Sequence, residues 1–173
     1  MFLAGDGPVI LLENEIEYKF YSIGAPGVIV NRIDVALVGA GRMGQVHGPN
    51  AARHPGLRLK YVVDPRADMA DAMCLRFDAQ AATLEQALAD PSVKGVLVCS
   101  STDQHLAHAL AAVEAGKAVF CEKPIDLDLQ KVLQARPRFE GARFLLGRYL
   151  NGAALHAVML LGEGELLVVD ARF

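Results

Sequence analysis

Three glycines, Gly39, Gly41 and Gly44, follow a short apolar run in the pattern Gly-x-Gly-x-x-Gly. Where a strand leads into a helix, the first glycine permits a tight turn and the second lets the backbone approach a diphosphate. The third lets the helix pack closely on the strand. Free amides at the start of that helix favour an anion. The spacing predicts a dinucleotide-binding turn, with Arg42 and Met43 beside the cofactor.

An acidic residue follows this turn at the distance that ribose recognition requires. Asp64 ends the next β-like run and lies 20 residues beyond Gly44. A carboxylate there can accept hydrogen bonds from both ribose hydroxyls of an adenosine, which favours NAD over NADP. Arg66 works against this preference, because its guanidinium can reach a 2′-phosphate. The alternative is that Asp64 and Pro65 only begin a turn. We expect Asp64 and Arg66 to contact the cofactor, and the cofactor to be NAD rather than NADP.

Polar side chains follow the third apolar run, at the carboxyl end of a strand, where open α/β sheets bind ligands. The consecutive hydroxyl residues are Ser100, Ser101 and Thr102. Thr102 or Asp103 can cap a helix starting near Gln104, and capping does not exclude contact with the ribose or diphosphate. His105 is either a further cofactor contact or a surface residue at the start of the helix.

The fourth run ends in Cys-Glu-Lys-Pro, which places Lys123 at the carboxyl edge of the sheet, beside the crevice. Burial and nearby positive charge can lower the pKa of a lysine towards use in acid–base catalysis, whereas Glu122 opposes that change. From the spacing alone we favour a solvated lysine. Glu122 and Lys123 are both expected to line the cofactor site. His47, after the glycine turn, is interpreted as a packed or capping residue.

The elements that position these residues are short β-branched runs alternating with Ala-rich, charge-dotted stretches. The predicted strands are 33–39, 57–64, 93–100, 118–122 and 143–147, and the predicted helical stretches are 66–76, 84–90, 104–115 and 127–135. This alternation predicts an α/β fold, a Rossmann-type doubly wound parallel sheet with helices on both faces. A further helix is expected to begin near Gly41, and Gly48 and Pro49 predict that it kinks or ends early near His47.

The 173 residues are 53% apolar with a net charge of −3. This length and apolar content predict one folded domain. The small negative net charge predicts no basic surface that would attract nucleic acid or an anionic membrane. Neither a signal peptide nor a membrane span is expected. Three cysteines without CxxC spacing predict buried thiols in a reducing cytoplasm and no metal site.

Three segments are expected. Residues 1–31 are an extension that either adds a hairpin at a sheet edge or is disordered, and residues 32–147 are the dinucleotide-binding domain. Residues 148–173 are a tail read as a short helix, a Gly-Glu-Gly turn and a strand.

Four segments together carry a resemblance to a known family: GAGRMGQVH, VVDPR, VCSSTDQH and GKAVFCEKPIDLDL. They resemble the glucose–fructose oxidoreductase/inositol dehydrogenase family (Gfo/Idh/MocA), and most of all its inositol 2-dehydrogenases. The resemblance implies that the segment from Ser100 to His105 lines the nicotinamide side and that Lys123 reaches the reacting hydroxyl. It also implies a Lys-Pro bond that is often cis, and hydride transfer between a polyol or sugar carbon and NAD.

Members of that family are about twice as long, and a second domain supplies an Asp-x-x-x-His pair whose histidine is the general acid and base. No Asp in this chain is followed four residues later by His. We therefore expect the dinucleotide-binding part of an inositol 2-dehydrogenase-type enzyme, with the second domain absent. A polyol or sugar would bind only if a second domain or a partner completed the site. The alternatives are a non-catalytic NAD(H)-binding module and an inactive truncated fragment.

Overall fold

The computed structural model describes residues 10–11, 19–20, 32–150, 154–160 and 166–171 of the chain. The strands in chain order are β1 Ile10–Leu11, β2 Lys19–Phe20, β3 Ile33–Val38, β4 Leu57–Val63, β5 Gln80–Ala81, β6 Val93–Val98, β7 Ala118–Cys121, β8 Phe144–Leu150, β9 Ala154–Leu160 and β10 Leu166–Ala171. The helices are α1 Gly44–Arg53, α2 Ala67–Phe77, α3 Leu84–Ala89, α4 Thr102–Glu114 and α5 Leu129–Ala135, followed by a 3-10 helix at Arg136–Phe139.

Eight of these strands form one sheet in the order β10-β9-β8-β7-β6-β3-β4-β5. The six strands from β8 to β5 are parallel, and β9 and β10 extend the sheet as antiparallel strands. The chain runs outward from β3 through β4 to β5 and then returns to β6 on the other side of β3. The strand order therefore reverses between β3 and β6, the position at which doubly wound sheets bind ligands. The predicted Rossmann-type fold is confirmed.

Helices cover both faces of the sheet. Neighbouring residues of a strand point to opposite sides, so each central strand contributes side chains to the core on both faces. Leu37 of β3 packs in a core cluster with Ala51 of α1 and Met73 of α2. Val38, the next residue, packs in a second cluster that contains Ala109 of α4. Both faces of the central strands are thus buried, which accounts for their continuous apolar sequences.

Helix α1 continues through Pro49 to Arg53, so the expected early end near His47 is wrong. Tight packing explains the continuation. A Cβ on Gly48 would lie 3.0 Å from Leu37 Cδ2 and 3.2 Å from Met73 Sδ, so the missing side chain lets this turn approach the sheet and α2 closely. Burial of the helix face compensates for the hydrogen bond that proline removes.

The two ends of the chain differ from the sequence-based expectations. The helix expected within residues 148–173 is wrong, because Ala154–Leu160 forms strand β9, paired with β8 on one side and β10 on the other. Its Ala and Leu residues favour a helix intrinsically, and pairing within the sheet overrides that weak preference. In the extension, β1 and β2 pair as a separate two-stranded antiparallel sheet, so the alternative of a hairpin added to the edge of the main sheet is wrong.

Within the described ranges, no helix is both long and apolar enough to cross a membrane. In this same part of the chain, no group of three or more His, Cys, Asp or Glu side chains is arranged to hold a metal ion. The cysteines are free thiols: Cys99 and Cys121 are buried and Cys74 is half-buried. The prediction of buried thiols is therefore confirmed for two of them.

Candidate functional site

The turn between β3 and α1 needs glycine at two positions for steric reasons. Gly39 has a φ of +96°, and a Cβ there would lie 2.5 Å from the backbone of Cys99 and Ser100. A Cβ on Gly44 would lie 2.0 Å from the carbonyl oxygen of Gly39. Gly39 therefore permits the tight turn against β6, and Gly44 lets the start of α1 sit directly on that turn.

Gly41 is required by neither backbone strain nor packing. Its φ lies outside the left-handed region, and a Cβ there would meet no atom of the described residues within 4 Å. The position faces open space at the start of α1, where backbone amides can meet an anion. The missing side chain leaves room for a ligand rather than for another part of the chain.

The carboxylate of Asp64 is held against this turn. Its Oδ2 accepts a hydrogen bond of 2.7 Å from the amide of Ala40, and its Oδ1 accepts one of 2.9 Å from the amide of Arg66. The guanidinium of Arg66 is exposed and lies 3.6 Å from the carboxylate of Asp68. The structure thus joins the acidic residue to the glycine turn, and the arginine side chain extends away from them.

A cavity of about 1010 Å³ opens at the carboxyl ends of β3, β4, β6 and β7. It brings together the predicted site residues Gly39, Gly41, Arg42, Met43, Asp64, Ser100, Ser101, Thr102, His105, Glu122 and Lys123. The two other predicted residues do not line it: Gly44 packs beneath the turn, and Arg66 lies outside. Thr83 and His108 also line the cavity and were missed, because no motif singles them out.

Helix α4 begins at Thr102 and its N-cap residue is Ser101, so the expected caps, Thr102 or Asp103 before a helix starting near Gln104, are wrong. The helix starts earlier than expected, after a connection of only three residues, 99–101, from the end of β6. The Ser101 side chain makes no capping bond to the helix backbone. The Ser101 side chain instead lowers the pKa of the nearby Asp103 carboxyl.

His105 is buried, so the alternative of a surface residue is wrong. Its Nδ1 lies 2.7 Å from the carbonyl oxygen of Pro124, and its Nε2 lies 3.0 Å from the carbonyl oxygen of Ser100. The Ser100 hydroxyl lies 2.9 Å from Nδ1 of His108. The loops after β6 and β7 are therefore linked by side chains of α4.

His47 and Glu122 form a buried pair, with Nε2 of the histidine 2.5 Å from Oε1 of the glutamate. The His47 ring also packs on Phe120, with ring centroids 4.8 Å apart. The interpretation of His47 as a packed residue is confirmed. Lys123 is exposed at the edge of the cavity, and the Lys123–Pro124 peptide bond is cis, as the resemblance implies.

The fold and the site define a dinucleotide-binding Rossmann domain: a glycine turn at the switch point of a parallel sheet, an acid fixed beside it, and a cavity over both. Residues 33–140 match the model of an oxidoreductase family with an NAD-binding Rossmann fold, Gfo/Idh/MocA. The chain belongs to this family.

Relatives with similar sequences and folds include inositol dehydrogenases. The chain is 36% identical over 96 residues to inositol 2-dehydrogenase from Rhizobium meliloti, a match that covers 56% of this chain and 29% of the relative. A putative myo-inositol dehydrogenase from Sinorhizobium meliloti superposes with a TM-score of 0.65 at 32% identity, covering 66% of this chain and 36% of that one. GenD2 from gentamicin A biosynthesis, solved in complex with NAD, has a TM-score of 0.62 at 32% identity, covering 72% and 36%. The chain thus spans about a third of the length of each of these proteins.

Proposed function

We propose that this chain binds NAD(H) in the cavity above the glycine turn and is the cofactor-binding part of an inositol 2-dehydrogenase-type oxidoreductase. The proposal rests on the open space beside the Cα of Gly41, next to the turn whose Ala40 amide is hydrogen-bonded to Asp64. A side chain there would fill space that no described residue occupies. The residues fit a dinucleotide because the turn offers free amides and the cavity is large enough for a cofactor of this size.

The proposed preference for NAD over NADP rests on the two charged residues that follow β4. The Asp64 carboxylate lies beside the turn, where it can accept ribose hydroxyls and would repel a 2′-phosphate. Arg66, the residue that could have attracted this phosphate, lies close to Asp68 instead. GenD2, one of the similar structures, was solved with NAD and supports the same choice.

Asp64→Asn tests this assignment. Asparagine keeps a carbonyl oxygen for the Ala40 amide but loses the negative charge, so we expect NADH to bind about tenfold more weakly, the loss of one charge-assisted hydrogen bond. NADPH affinity should stay equal or increase. Calorimetric titration with both cofactors measures this ratio, and Asp71→Asn, exposed on α2, is the matched control. An unchanged preference in Asp64→Asn would refute the role.

Lys123 is proposed as the residue that reaches the reacting hydroxyl of a polyol or sugar. Its exposed position at the cavity edge and the inositol dehydrogenases among the relatives support this role. When bound, NAD⁺ supplies the hydride acceptor, while the ammonium of Lys123 can donate a hydrogen bond to the substrate oxygen. Proton transfer also needs a general base, and the chain has no Asp-x-x-x-His pair.

A non-catalytic NAD(H)-binding module and an inactive truncated fragment are the alternatives. Turnover by the chain alone would exclude both, and failure to bind NADH would favour the inactive fragment. We expect the purified chain alone to bind NADH and to form no measurable NADH from NAD⁺ with a panel of inositols and sugars. NADH formation that disappears in Lys123→Met would show that the chain is itself a complete catalyst. Failure to bind either form of the cofactor would remove the proposed function altogether.

A further inference from the structure

His105 makes two hydrogen bonds that a neutral imidazole cannot make together. Its side chain is buried, with 3% of the residue exposed. The two ring nitrogens lie 2.7 Å and 3.0 Å from the carbonyl oxygens of Pro124 and Ser100. A carbonyl oxygen only accepts hydrogen bonds, so each contact requires an N–H on the ring, and a neutral imidazole has one N–H while the imidazolium has two.

We propose that His105 is a positioning residue that is doubly protonated and clasps the loop after β6 to the loop after β7 within the cofactor cavity. The clasp joins Ser100 to Pro124, the residue that follows Lys123. The proposal rests on the proposed function, because it assigns a role to a residue that lines the proposed NAD(H) site.

Several charged and titratable groups surround this imidazolium. Those that line the same cavity are Arg42, Asp64, Cys99, His108, Glu122 and Lys123, and Asp103 precedes it in the first turn of α4. The Ser101 hydroxyl and, to a smaller extent, the charge of His105 lower the pKa of Asp103. Burial first, and then the charge of His105, lower the pKa of His108. These directions favour an anion at Asp103 and a neutral ring at His108.

Among the other side chains that line the cavity, the positive charges of Arg42 and Lys123 oppose the negative charges of Asp64 and Glu122. Glu122 is paired with His47 and is not a hydrogen-bond partner of the His105 ring among the described residues. The N-terminus of α4 is itself electropositive and disfavours a cation there, a cost that Asp103 in the first turn offsets. An anionic dinucleotide entering the cavity would stabilise the imidazolium, and by linkage the imidazolium would stabilise the bound dinucleotide.

The clasp depends on both ring protons. With a single N–H, one nitrogen would present a lone pair to a carbonyl oxygen, and that hydrogen bond would become a repulsive contact. The loops that carry Ser100 and Lys123 would then lose one of their links. A side chain that cannot make both hydrogen bonds should therefore weaken the binding of NADH.

The protonation state can be measured directly on the wild-type protein. The ¹⁵N spectrum of the imidazole rings reports whether each nitrogen carries a proton, and His105→Gln identifies which of the five histidines gives the signal. We expect two protonated nitrogens for His105 at pH 6. A single protonated nitrogen at that pH would overturn the proposal, and this result needs no variant to fold if the signal is assigned through its neighbours.

Cofactor affinity tests the clasp itself. At pH 6 we expect His105→Gln to bind NADH about tenfold more weakly than wild type, the loss of one charge-assisted hydrogen bond. His54→Gln, whose ring contacts only the Gly56 amide among the hydrogen bonds of the described residues, should behave as wild type. Wild-type affinity in His105→Gln would overturn the proposal. If wild type binds no NADH, the proposed function fails, and the ring-nitrogen spectrum still decides the protonation state.

Discussion

Gly41→Ala should abolish tight NADH binding while leaving the fold intact. The new methyl group would meet no atom of the described residues within 4 Å, and the backbone at this position lies outside the left-handed region. Replacing glycine under those conditions changes the free energy of unfolding by only about 0.4–1 kcal/mol, in the stabilising direction, through the unfolded chain. The methyl group would instead occupy the space in which a diphosphate approaches the turn.

The expected loss follows from the contacts that the methyl group prevents. A hydrogen bond from a backbone amide to a charged phosphate contributes about 1.5–3 kcal/mol. Losing one such bond raises the dissociation constant for NADH by about 10- to 150-fold. Calorimetric titration gives this constant, and urea unfolding verifies that the variant is folded.

Gly56→Ala is the matched control. Gly56 lies at the opposite edge of the sheet, before β4, and a Cβ there would make only an ordinary contact of 3.4 Å with the His54 ring. Its NADH affinity should equal that of wild type. The reasoning is refuted if Gly41→Ala is folded and binds NADH as tightly as Gly56→Ala, because Gly41 would then not face the bound diphosphate.

Two further predictions concern stability and thiol reactivity. Hydrogen bonds from Arg58 hold the pKa of Asp34 below its ordinary value in the folded state, so this stabilisation is present above about pH 4 and is lost as the pH falls. Urea unfolding at pH 7 and pH 3 should therefore show a smaller loss of stability on acidification for Asp34→Asn than for wild type, and equal losses would contradict the assignment. Burial raises the pKa of Cys121 to about 12 and also raises that of Cys99. A disulfide reagent at pH 8 should therefore label at most Cys74 in the folded chain and all three cysteines in guanidinium, and rapid labelling of two or more in the folded chain would contradict this.

Local steric rules made the glycine turn predictable. The three glycines belong to one strand–turn–helix unit. A Cβ would collide with backbone atoms at Gly39 and Gly44 and would enter open space at Gly41. Asp64 and Lys123 could also be predicted from the sequence, because each follows a strand that the alternation of elements indicates. The parallel order of these strands then brings their carboxyl ends to one edge.

Contacts between distant segments were not predictable in this way. His47 and Glu122 are 75 positions apart, and their pairing depends on how α1 lies over β7. The two carbonyl partners of His105 belong to different loops, which neither helix propensity nor spacing reveals. Strand β9 was mistaken for a helix because its intrinsic propensity is helical and only its neighbours in the sheet make it a strand.

The backbone amide spectrum of the ¹⁵N-labelled chain during titration with NADH shows whether the dinucleotide binds in this cavity. We expect saturable shifts at Gly41 and Gly44 in the turn, and at Ser100 and Thr102 at the start of α4, with no comparable change at Gly56. Shifts confined to the opposite edge of the sheet, or no saturable shift up to millimolar NADH, would contradict the assignment of this cavity as a dinucleotide site.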